Sequence, residues 1–349
     1  MTIRRTTRQR HARLLLLLLA GLSTLLAACG MPSLITAQHA DAAILPASVA
    51  VNGKVLYARN GEVWLIEGAN HRQFTKSGGI ALQPAWSPDG ASIAYVLRHK
   101  NSSDIAMVKA DGMGTTLITD NSSSVVDENF WAFNPVWNID SKQVAFMSDR
   151  GRSESGIIDL AIWRMTIASK QVRQVSDPRG LSGGDADPAW RPGHPNELVY
   201  TRYFYGENGG AVFSQLVLID TTTGKWVELT PPNESSYQPA WSPKGDMLVF
   251  AKRGPDRSDL YALAVTDNAT PTPTPSFTPS TLLLSGVLCQ PVWSPTGDQI
   301  MYISESSDAG FDLWLATLTN DTTPAIKGKP VQVTTREQVD ATSRPSWIR

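Results

Sequence analysis

Cysteine and histidine are both scarce in this sequence. The 349 residues include two cysteines and five histidines. Two cysteines cannot supply the disulfide network that supports domains without a sizeable core, so stability must come from hydrophobic packing. The histidines are spread along the chain, whereas a metal centre needs several ligands gathered in one place. We therefore expect neither a metal nor another cofactor.

Only one long apolar run stands out. Leu14–Leu26 has 13 residues and follows a head of five arginines that contains no acidic residue. A membrane-spanning helix needs about 20 residues, so this run has the length of a signal-peptide core. It ends on the tetrapeptide Leu26-Ala27-Ala28-Cys29, which resembles the lipobox of bacterial lipoproteins. In those proteins diacylglycerol is attached to the cysteine and the chain is cleaved just before it.

This resemblance implies three N-terminal features. Residues 1–28 would form a lipoprotein signal peptide, Cys29 would be the lipidation site, and residues 29–50 would form a flexible tether to the membrane. An ordinary secretory signal with a chance cysteine is the alternative. Both interpretations place the body of the protein outside the cytoplasm, in the cell envelope.

An excess of positive charge is missing as well. The chain has 31 basic and 32 acidic residues, and five of the basic ones lie within residues 1–28. The remainder therefore carries 26 − 32 = −6, with histidine counted as neutral. Proteins that bind nucleic acids use lysine and arginine to neutralise phosphates. The composition thus argues against a nucleic acid partner.

A tripeptide of proline, any residue and tryptophan repeats along the chain. It occurs six times at intervals of 51 to 54 residues, and it accounts for six of the eleven tryptophans. Self-similarity at a fixed period of this length is typical of propellers, in which each unit forms one blade. The six tryptophans are Trp86, Trp137, Trp190, Trp241, Trp293 and Trp347.

Short apolar segments recur at fixed distances from these tryptophans. A turn, in three copies Ser-Pro-x-Gly, follows the tryptophan and leads to an apolar pair plus an aromatic residue, such as Ile93-Ala94-Tyr95. Short β-branched and aromatic segments bounded by such turns predict hairpins. Two further apolar segments follow in each unit, and the last one ends on a hydroxyl residue, such as Thr119. Four strands in about 50 residues describe a propeller blade.

The two ends of the repeat complement each other. The first unit begins with Val55-Leu56-Tyr57 and lacks an inner strand, whereas the last unit is followed by a lone inner strand that ends in Trp347. Joining the two completes a sixth blade and leaves no open sheet edge. We therefore predict an all-β fold, a six-bladed β-propeller over residues 51–349, with four-stranded blades and the first blade closed by the C-terminal strand.

The repeat resembles that of TolB-type propellers. Residues 83–90 read QPAWSPDG and precede Ile93-Ala94-Tyr95, and Asp312-Leu313-Trp314 matches the third strand of the same repeat. WD40 repeats fit less well because no Trp-Asp pair occurs, and kelch repeats because the glycine doublets do not recur at one blade position. The resemblance implies a binding or scaffold protein, although peptidases and lyases also contain such propellers.

Binding is expected on the long loops of one face. Loops between the second and third strands and loops between blades leave a propeller on the same side, and those of blades two to four are long. Loops on a rigid scaffold commonly carry binding sites, and aromatic residues and arginine dominate interface energetics. The predicted partner is a protein or a glycan of the cell envelope, bound by a monomeric protein without catalytic residues. The predicted binding residues are Phe130, Trp131, Phe133, Arg150, Arg152, Arg202, Tyr203, Phe204 and Tyr205.

Several alternatives stay open beside this prediction. The aromatic side chains could instead anchor their own loops, and the protein could be a propeller enzyme, a polysaccharide lyase or hydrolase, or bind a small solute in its channel. Residues 268–279, rich in proline and threonine, are predicted to form an extended loop insertion. Acidic residues that precede inner strands could meet at the channel mouth and hold a cation: Asp127, Glu128, Asp185, Asp187 and Asp340.

Overall fold

A computed structural model describes residues 49–151, 160–178, 184–205, 212–266, 277–306, 310–319, 321 and 323–349. These residues form six four-stranded antiparallel sheets, as predicted from the repeat. The predicted signal peptide, Cys29 and nearly all of the predicted tether lie outside the described residues. Arg152 and most of the Pro/Thr-rich insertion also lie outside them.

Each sheet is one blade of a six-bladed propeller, and its strands run from the centre outwards in chain order except in blade 1. Blade 1 consists of β24 (Ser346–Ile348), β1 (Val51–Arg59), β2 (Glu62–Gly68) and β3 (Asn70–Gln73). Blade 2 consists of β4 (Ile80–Trp86), β5 (Ser92–Arg98), β6 (Ser103–Lys109) and β7 (Thr116–Leu117). Blade 3 consists of β8 (Ala132–Trp137), β9 (Gln143–Ser148), β10 (Ala161–Thr166) and β11 (Gln171–Gln174).

Blades 4 to 6 follow the same order. They consist of β12 (Asp185–Trp190), β13 (Glu197–Tyr205), β14 (Val212–Asp220) and β15 (Trp226–Glu228); of β16 (Ser236–Trp241), β17 (Met247–Arg253), β18 (Ser258–Ala264) and β19 (Thr281–Leu284); and of β20 (Leu288–Trp293), β21 (Gln299–Glu305), β22 (Phe311–Leu318) and β23 (Ile326–Gln332). The innermost strands contact one another in a closed ring, in the order β24, β4, β8, β12, β16 and β20.

Helical structure in the described residues is limited to two short 3-10 turns, Val126–Glu128 and Pro232–Glu234. Both lie in connections between blades. None of the described helices has the length and hydrophobicity required to span a membrane.

The predicted closure of blade 1 is confirmed. Strand β24 pairs with β1 in antiparallel register, with Val55 opposite Trp347 and Leu56 opposite Ser346. The indole nitrogen of Trp347 donates to the Asn52 carbonyl over 2.8 Å. A Cβ atom on Gly53, which has a φ of +96°, would lie 2.1 Å from the Ile348 carbonyl oxygen. The backbones therefore approach so closely at the join that only glycine fits at residue 53.

The repeated tryptophans connect neighbouring blades. In three copies the indole nitrogen donates to a backbone carbonyl of the preceding blade, over 3.1 to 3.2 Å. All six are at most 8% exposed, so the tryptophans of this repeat pack in the core. The three bonds join Trp137 to Ala85, Trp241 to Ala189, and Trp293 to Ala240.

The recurring hydroxyl residues have a structural role just beyond the fourth strands. In five blades the hydroxyl oxygen accepts a hydrogen bond from a backbone amide of the third strand, over 2.8 to 2.9 Å. Each bond fastens the short outer strand to its sheet and satisfies a buried amide. The five residues are Thr75, Thr119, Ser176, Thr230 and Thr334.

The two faces of the disc differ in their loops. The turn face carries the short hairpins between first and second strands, at residues 87–91, 138–142 and 242–246. The connection face carries the hairpins between second and third strands, such as 99–102, and the passages between blades, such as 118–131. Strand β1 begins at the turn face. A Cβ on Gly90, which lies in a turn-face hairpin, would be 3.5 Å from Ile348, and Ile348 pairs with Lys54 near the start of β1.

Candidate functional site

Part of the predicted binding surface forms a contiguous patch on the connection face of blades 2 and 3. The Trp131 ring stacks on Phe133 with centroids 5.8 Å apart and planes 10° from parallel. The Arg98 guanidinium lies 6.0 Å from the Trp131 ring, and that of Arg150 lies 5.8 Å from the Phe130 ring. Aromatic rings with guanidinium groups against them offer both apolar and cation–π contacts. We call these five residues, together with Val125 and Val126 at the loop tip, the blade 2–3 patch.

The loop that carries the patch is held firmly at its base. Asn121 is buried; its backbone amide donates to Asp104, and its side-chain amide donates to the Ser103 carbonyl over 2.7 Å. The Asn121 side-chain oxygen accepts a 2.6 Å hydrogen bond from Arg150. On the other side of the loop, the Trp131 amide donates to the Asp149 carboxylate over 2.7 Å. The loop therefore has a defined shape before any partner arrives.

Two adjacent valines are exposed at the tip of this loop. Val125 is 50% exposed and Val126 is 59% exposed, and the 3-10 turn that begins at Val126 buries no side chain. Isolated exposed apolar residues are normal, but two in succession on the loop that also carries Trp131 add to its apolar surface. The sequence prediction missed the valines because the pair stands in a loop, without a strand or helix periodicity.

A cleft of about 430 Å³ adjoins the patch between blades 2 and 3. Its walls include Thr119 and Asp120 from blade 2 and Met165, Lys170 and Val172 from blade 3. Arg150 lines the same cleft. The surface offered to a partner thus combines a raised loop tip with a neighbouring concavity.

The prediction for blade 4 was wrong about local structure. Arg202, Tyr203, Phe204 and Tyr205 were assigned to a loop, yet they belong to β13, which pairs with β14 as far as Tyr205. Side chains alternate between the two faces of a strand, so Tyr203 and Tyr205 lie on the same face. Tyr203 belongs to a core cluster and is 4% exposed, whereas Tyr205 lies at the strand end and is 51% exposed.

Arg202 and Phe204 are engaged within the propeller. Arg202 binds the Asp185 carboxylate through two nitrogens, at 2.9 and 3.2 Å, and donates to the Tyr200 hydroxyl over 2.7 Å. The Phe204 ring packs on Phe213 with centroids 6.0 Å apart. These contacts agree with the alternative in which the aromatic residues anchor their own segment of chain.

A second polar site surrounds the central channel, and of its members only Asp187 is among the residues predicted from the sequence. The residue before the proline of the Pro-x-Trp unit lies on the inner strand in five blades, where it forms a bulge with a φ of 48° to 56°, and in blade 1 it lies two residues before the inner strand. This conformation costs a residue other than glycine about 1–3 kcal/mol. We call these six positions the channel ring: Arg344, Gln83, Asn134, Asp187, Gln238 and Gln290.

Glutamine side chains join neighbouring members of the channel ring. The Asn134 amide donates to the Gln83 side-chain oxygen over 2.8 Å, and the Gln290 amide donates to that of Gln238 over 2.9 Å. Each bond connects one blade to the next. The bulges make these bonds possible, because each turns a backbone amide towards the neighbouring blade.

Asp187 interrupts this pattern in blade 4. Its side chain is shorter than glutamine, and the Gln238 amide donates instead to the Thr201 hydroxyl over 3.1 Å. One Asp187 oxygen accepts a 3.0 Å hydrogen bond from the Asn134 side chain, but the other is buried without a hydrogen-bond partner among the described residues. Burial raises the pKa of the Asp187 carboxyl, and the positive charge of Arg344 opposes that rise.

The other acidic residues do not gather around a cation. Asp185 is paired with Arg202, Asp127 and Glu128 are exposed on the loop of the blade 2–3 patch, and Asp340 accepts hydrogen bonds from Thr342. Within the described ranges, no three histidine, cysteine, aspartate or glutamate side chains converge as metal ligands.

Comparisons with known proteins agree with this architecture. The family profile described as PD40, the TolB beta propeller domain, matches residues 62–334. The fold is similar to that in the crystal structure of TolB from Acinetobacter baumannii, with a TM-score of 0.62 and 18% identity, covering 86% of this chain and 67% of that one. It is also similar to a putative TolB from Agrobacterium tumefaciens, with a TM-score of 0.57 and 14% identity, covering 84% and 92%.

One curated relative carries the name of an enzyme. A Bacillus subtilis (strain 168) protein named "Uncharacterized peptidase YuxL" is 25% identical over 199 residues. The match covers 54% of this chain and 24% of that protein, so this chain spans only about a quarter of its relative's length. Since such propellers occur in proteins named TolB and in one named a peptidase, the fold alone does not assign catalysis.

Proposed function

Because the chain belongs to the TolB β-propeller domain family, we propose that it is a membrane-anchored binding protein of the cell envelope that acts outside the cytoplasm. Its partner is a protein or a glycan, which it contacts through the blade 2–3 patch. The observation that supports this proposal best is the firmly held loop that exposes Val125 and Val126 and also carries Trp131.

Physical reasons favour this surface over the rest of the disc. Ordering a mobile loop on binding costs about 0.5–1.5 kcal/mol for each side chain that is immobilised. The bonds of Asn121 and Trp131 fix this loop in advance, so less of that cost falls on the binding step. Tryptophan and arginine are also the residues most enriched among those that dominate binding energy.

Introducing negative charge at the exposed apolar tip tests the proposal. We expect the double variant Val125→Asp/Val126→Asp to reduce partner recovery at least tenfold, because two carboxylates would have to lose their water at the interface. The measurement is crosslinking in intact membranes followed by affinity purification through this protein. The melting temperature should stay within about 2 °C of wild type, since both side chains are exposed.

The matched control is Ile139→Asp, which also introduces a carboxylate at an exposed apolar residue but lies on the turn face of blade 3. It should leave partner recovery unchanged. Equal recovery by the patch variant and wild type would refute the proposed surface. Membranes from cells that lack this protein can be treated with protease before the purified protein is added and crosslinked; this distinguishes the two partner classes, because only a glycan survives the protease.

Membrane anchoring is tested at Cys29. Each buried methylene contributes about 0.8 kcal/mol to membrane affinity, and one acyl chain gives only marginal binding, so stable anchoring requires the chains of a lipidated cysteine. We expect Cys29→Ser to move the protein from the membrane fraction to the soluble fraction or to leave its N-terminal segment uncleaved. Fractionation and intact mass spectrometry measure both outcomes. Ser33→Ala, four residues away, is the control, and a cleaved Cys29→Ser protein that stays on membranes would contradict lipidation.

A further inference from the structure

We propose that the central channel binds a small zwitterionic solute, of which an α-amino acid is the simplest example, between Asp187 and Arg344. The ammonium group of the solute would meet the aspartate, and its carboxylate would meet the arginine. This inference rests on the channel ring and is independent of the blade 2–3 patch.

The first support is the position of Asp187 at the axis. Its carboxylate accepts from Asn134 of blade 3, and it interacts electrostatically with Arg344 of blade 1 and with Tyr203 of its own blade 4. In a ring of six blades, blade 1 lies opposite blade 4. A group within reach of both must therefore lie at the channel.

The second support is an acceptor left unused. Asp187 is 5% exposed, and its Oδ2 atom forms no hydrogen bond of ordinary geometry among the described residues, although the Thr201 hydroxyl and the Gln238 amide lie close enough to counteract the rise in its pKa. More than nine in ten buried polar groups in proteins are paired, so an exception calls for a physical explanation. A donor from a bound solute would satisfy this oxygen.

The third support is a set of unused donors that lie close enough to Asp187 to interact with it electrostatically. The Nε and Nη2 atoms of Arg344 are buried and lack hydrogen-bond partners within the described part of the chain, as does the buried Tyr203 hydroxyl. The charges of Arg344 and Asp187 affect each other's pKa, but the two side chains form no direct ion pair. An anion and a cation held apart in a buried site match a ligand that carries both charges.

The chemistry of these groups selects the ligand class. A guanidinium group favours a planar carboxylate, which can accept two parallel hydrogen bonds. The aspartate oxygen needs a donor, best provided by a cation, because a second anion would be repelled. A simple anion satisfies only Arg344 and a simple cation only Asp187, whereas an amino acid satisfies both.

Thermal unfolding with a panel of the twenty α-amino acids tests the inference. We expect at least one of them at millimolar concentration to raise the melting temperature of the full chain by about 5 °C, since a ligand that binds only the folded state stabilises it. Acetate and ethylammonium, which each carry one of the two charges, should each produce less than a fifth of that shift. An equal shift with either single-charge probe would refute a zwitterion site.

Two aspartate variants separate the channel from a general charge effect. Asp187→Asn keeps the shape of the side chain, and it should abolish the shift produced by the amino acid. Asp89→Asn neutralises an aspartate in a turn-face hairpin and should preserve the shift. Calorimetric titration of the wild-type protein covers the case in which Asp187→Asn fails to fold. If none of the amino acids produces heat or a thermal shift with wild type, the proposal is wrong.

Discussion

Removal of residues 343–349 is expected to abolish cooperative unfolding of the propeller. The deletion takes away β24, which supplies the inner strand of blade 1 and pairs with Lys54, Val55 and Leu56. Val55 and Leu56 are fully buried in the intact protein, and the loss of β24 would leave their strand as an open apolar edge. Circular dichroism during heating should show a broad, shallow transition instead of one sharp step.

Deletion of Arg349 alone provides the control. This residue lies beyond β24, is exposed, and should be removable without a change in the melting curve. A protein that lacks residues 343–349 and still melts like the full-length chain would show that the ring does not depend on its closing strand. Binding of an apolar dye at room temperature gives an independent measure of the exposed edge.

Truncation of a repeated tryptophan is expected to have the second largest effect. Trp293→Ala should lower the free energy of unfolding by about 3–5 kcal/mol, because it leaves a cavity the size of an indole ring between blades. Trp293 is 7% exposed and belongs to a core cluster that spans blades 3 to 6. Denaturant titration followed by tryptophan fluorescence and circular dichroism measures the loss.

A pair of phenylalanine variants isolates the hydrogen bond of this tryptophan. Trp293 donates to the Ala240 carbonyl, whereas the indole nitrogen of Trp190, in the same core cluster, is buried without a partner among the described residues. Both Trp293→Phe and Trp190→Phe remove similar ring volume. We expect Trp293→Phe to cost about 1 kcal/mol more, the net value of one hydrogen bond. Equal costs would show that the bonds between blades add nothing to packing.

Ring closure could be predicted from the sequence because it follows from the order of the repeat. Six copies of Pro-x-Trp at even spacing define six units. Because the first unit lacks an inner strand, the extra strand at the end of the chain must complete it. The structure places Trp347 opposite Val55, as this argument demands. Nothing about individual contacts was needed, since the repeat alone fixes which strands are neighbours.

The segment after Thr201 differs from its predicted structure. Its aromatic residues are predicted to lie on a binding loop, although Tyr203, Phe204 and Tyr205 are strong strand formers. The strand continues to Tyr205 before the chain turns. Periodic repeats mark where a strand must begin, but the length of a hairpin depends on pairing with its partner, which the sequence of one strand does not show.

The channel ring had a sequence signal that went unused. All six of its members stand immediately before the proline of the repeat, and all six are polar. The position of the ring members in each blade can therefore be predicted from the sequence. The interaction between Asp187 and Arg344 cannot, because it joins residues in opposite blades and depends on the width of the channel.

The point at which the chain enters the disc has a consequence for orientation. Residues 49 and 50 lead into β1 at the turn face, while the blade 2–3 patch lies on the connection face. If residues 29–50 tether the protein through Cys29, they join the membrane to the turn face of the disc. A flexible segment of that length spans about 25 Å. The tether would then attach on the side of the disc opposite the patch, so a partner could reach the patch from the aqueous side and need not share the same membrane.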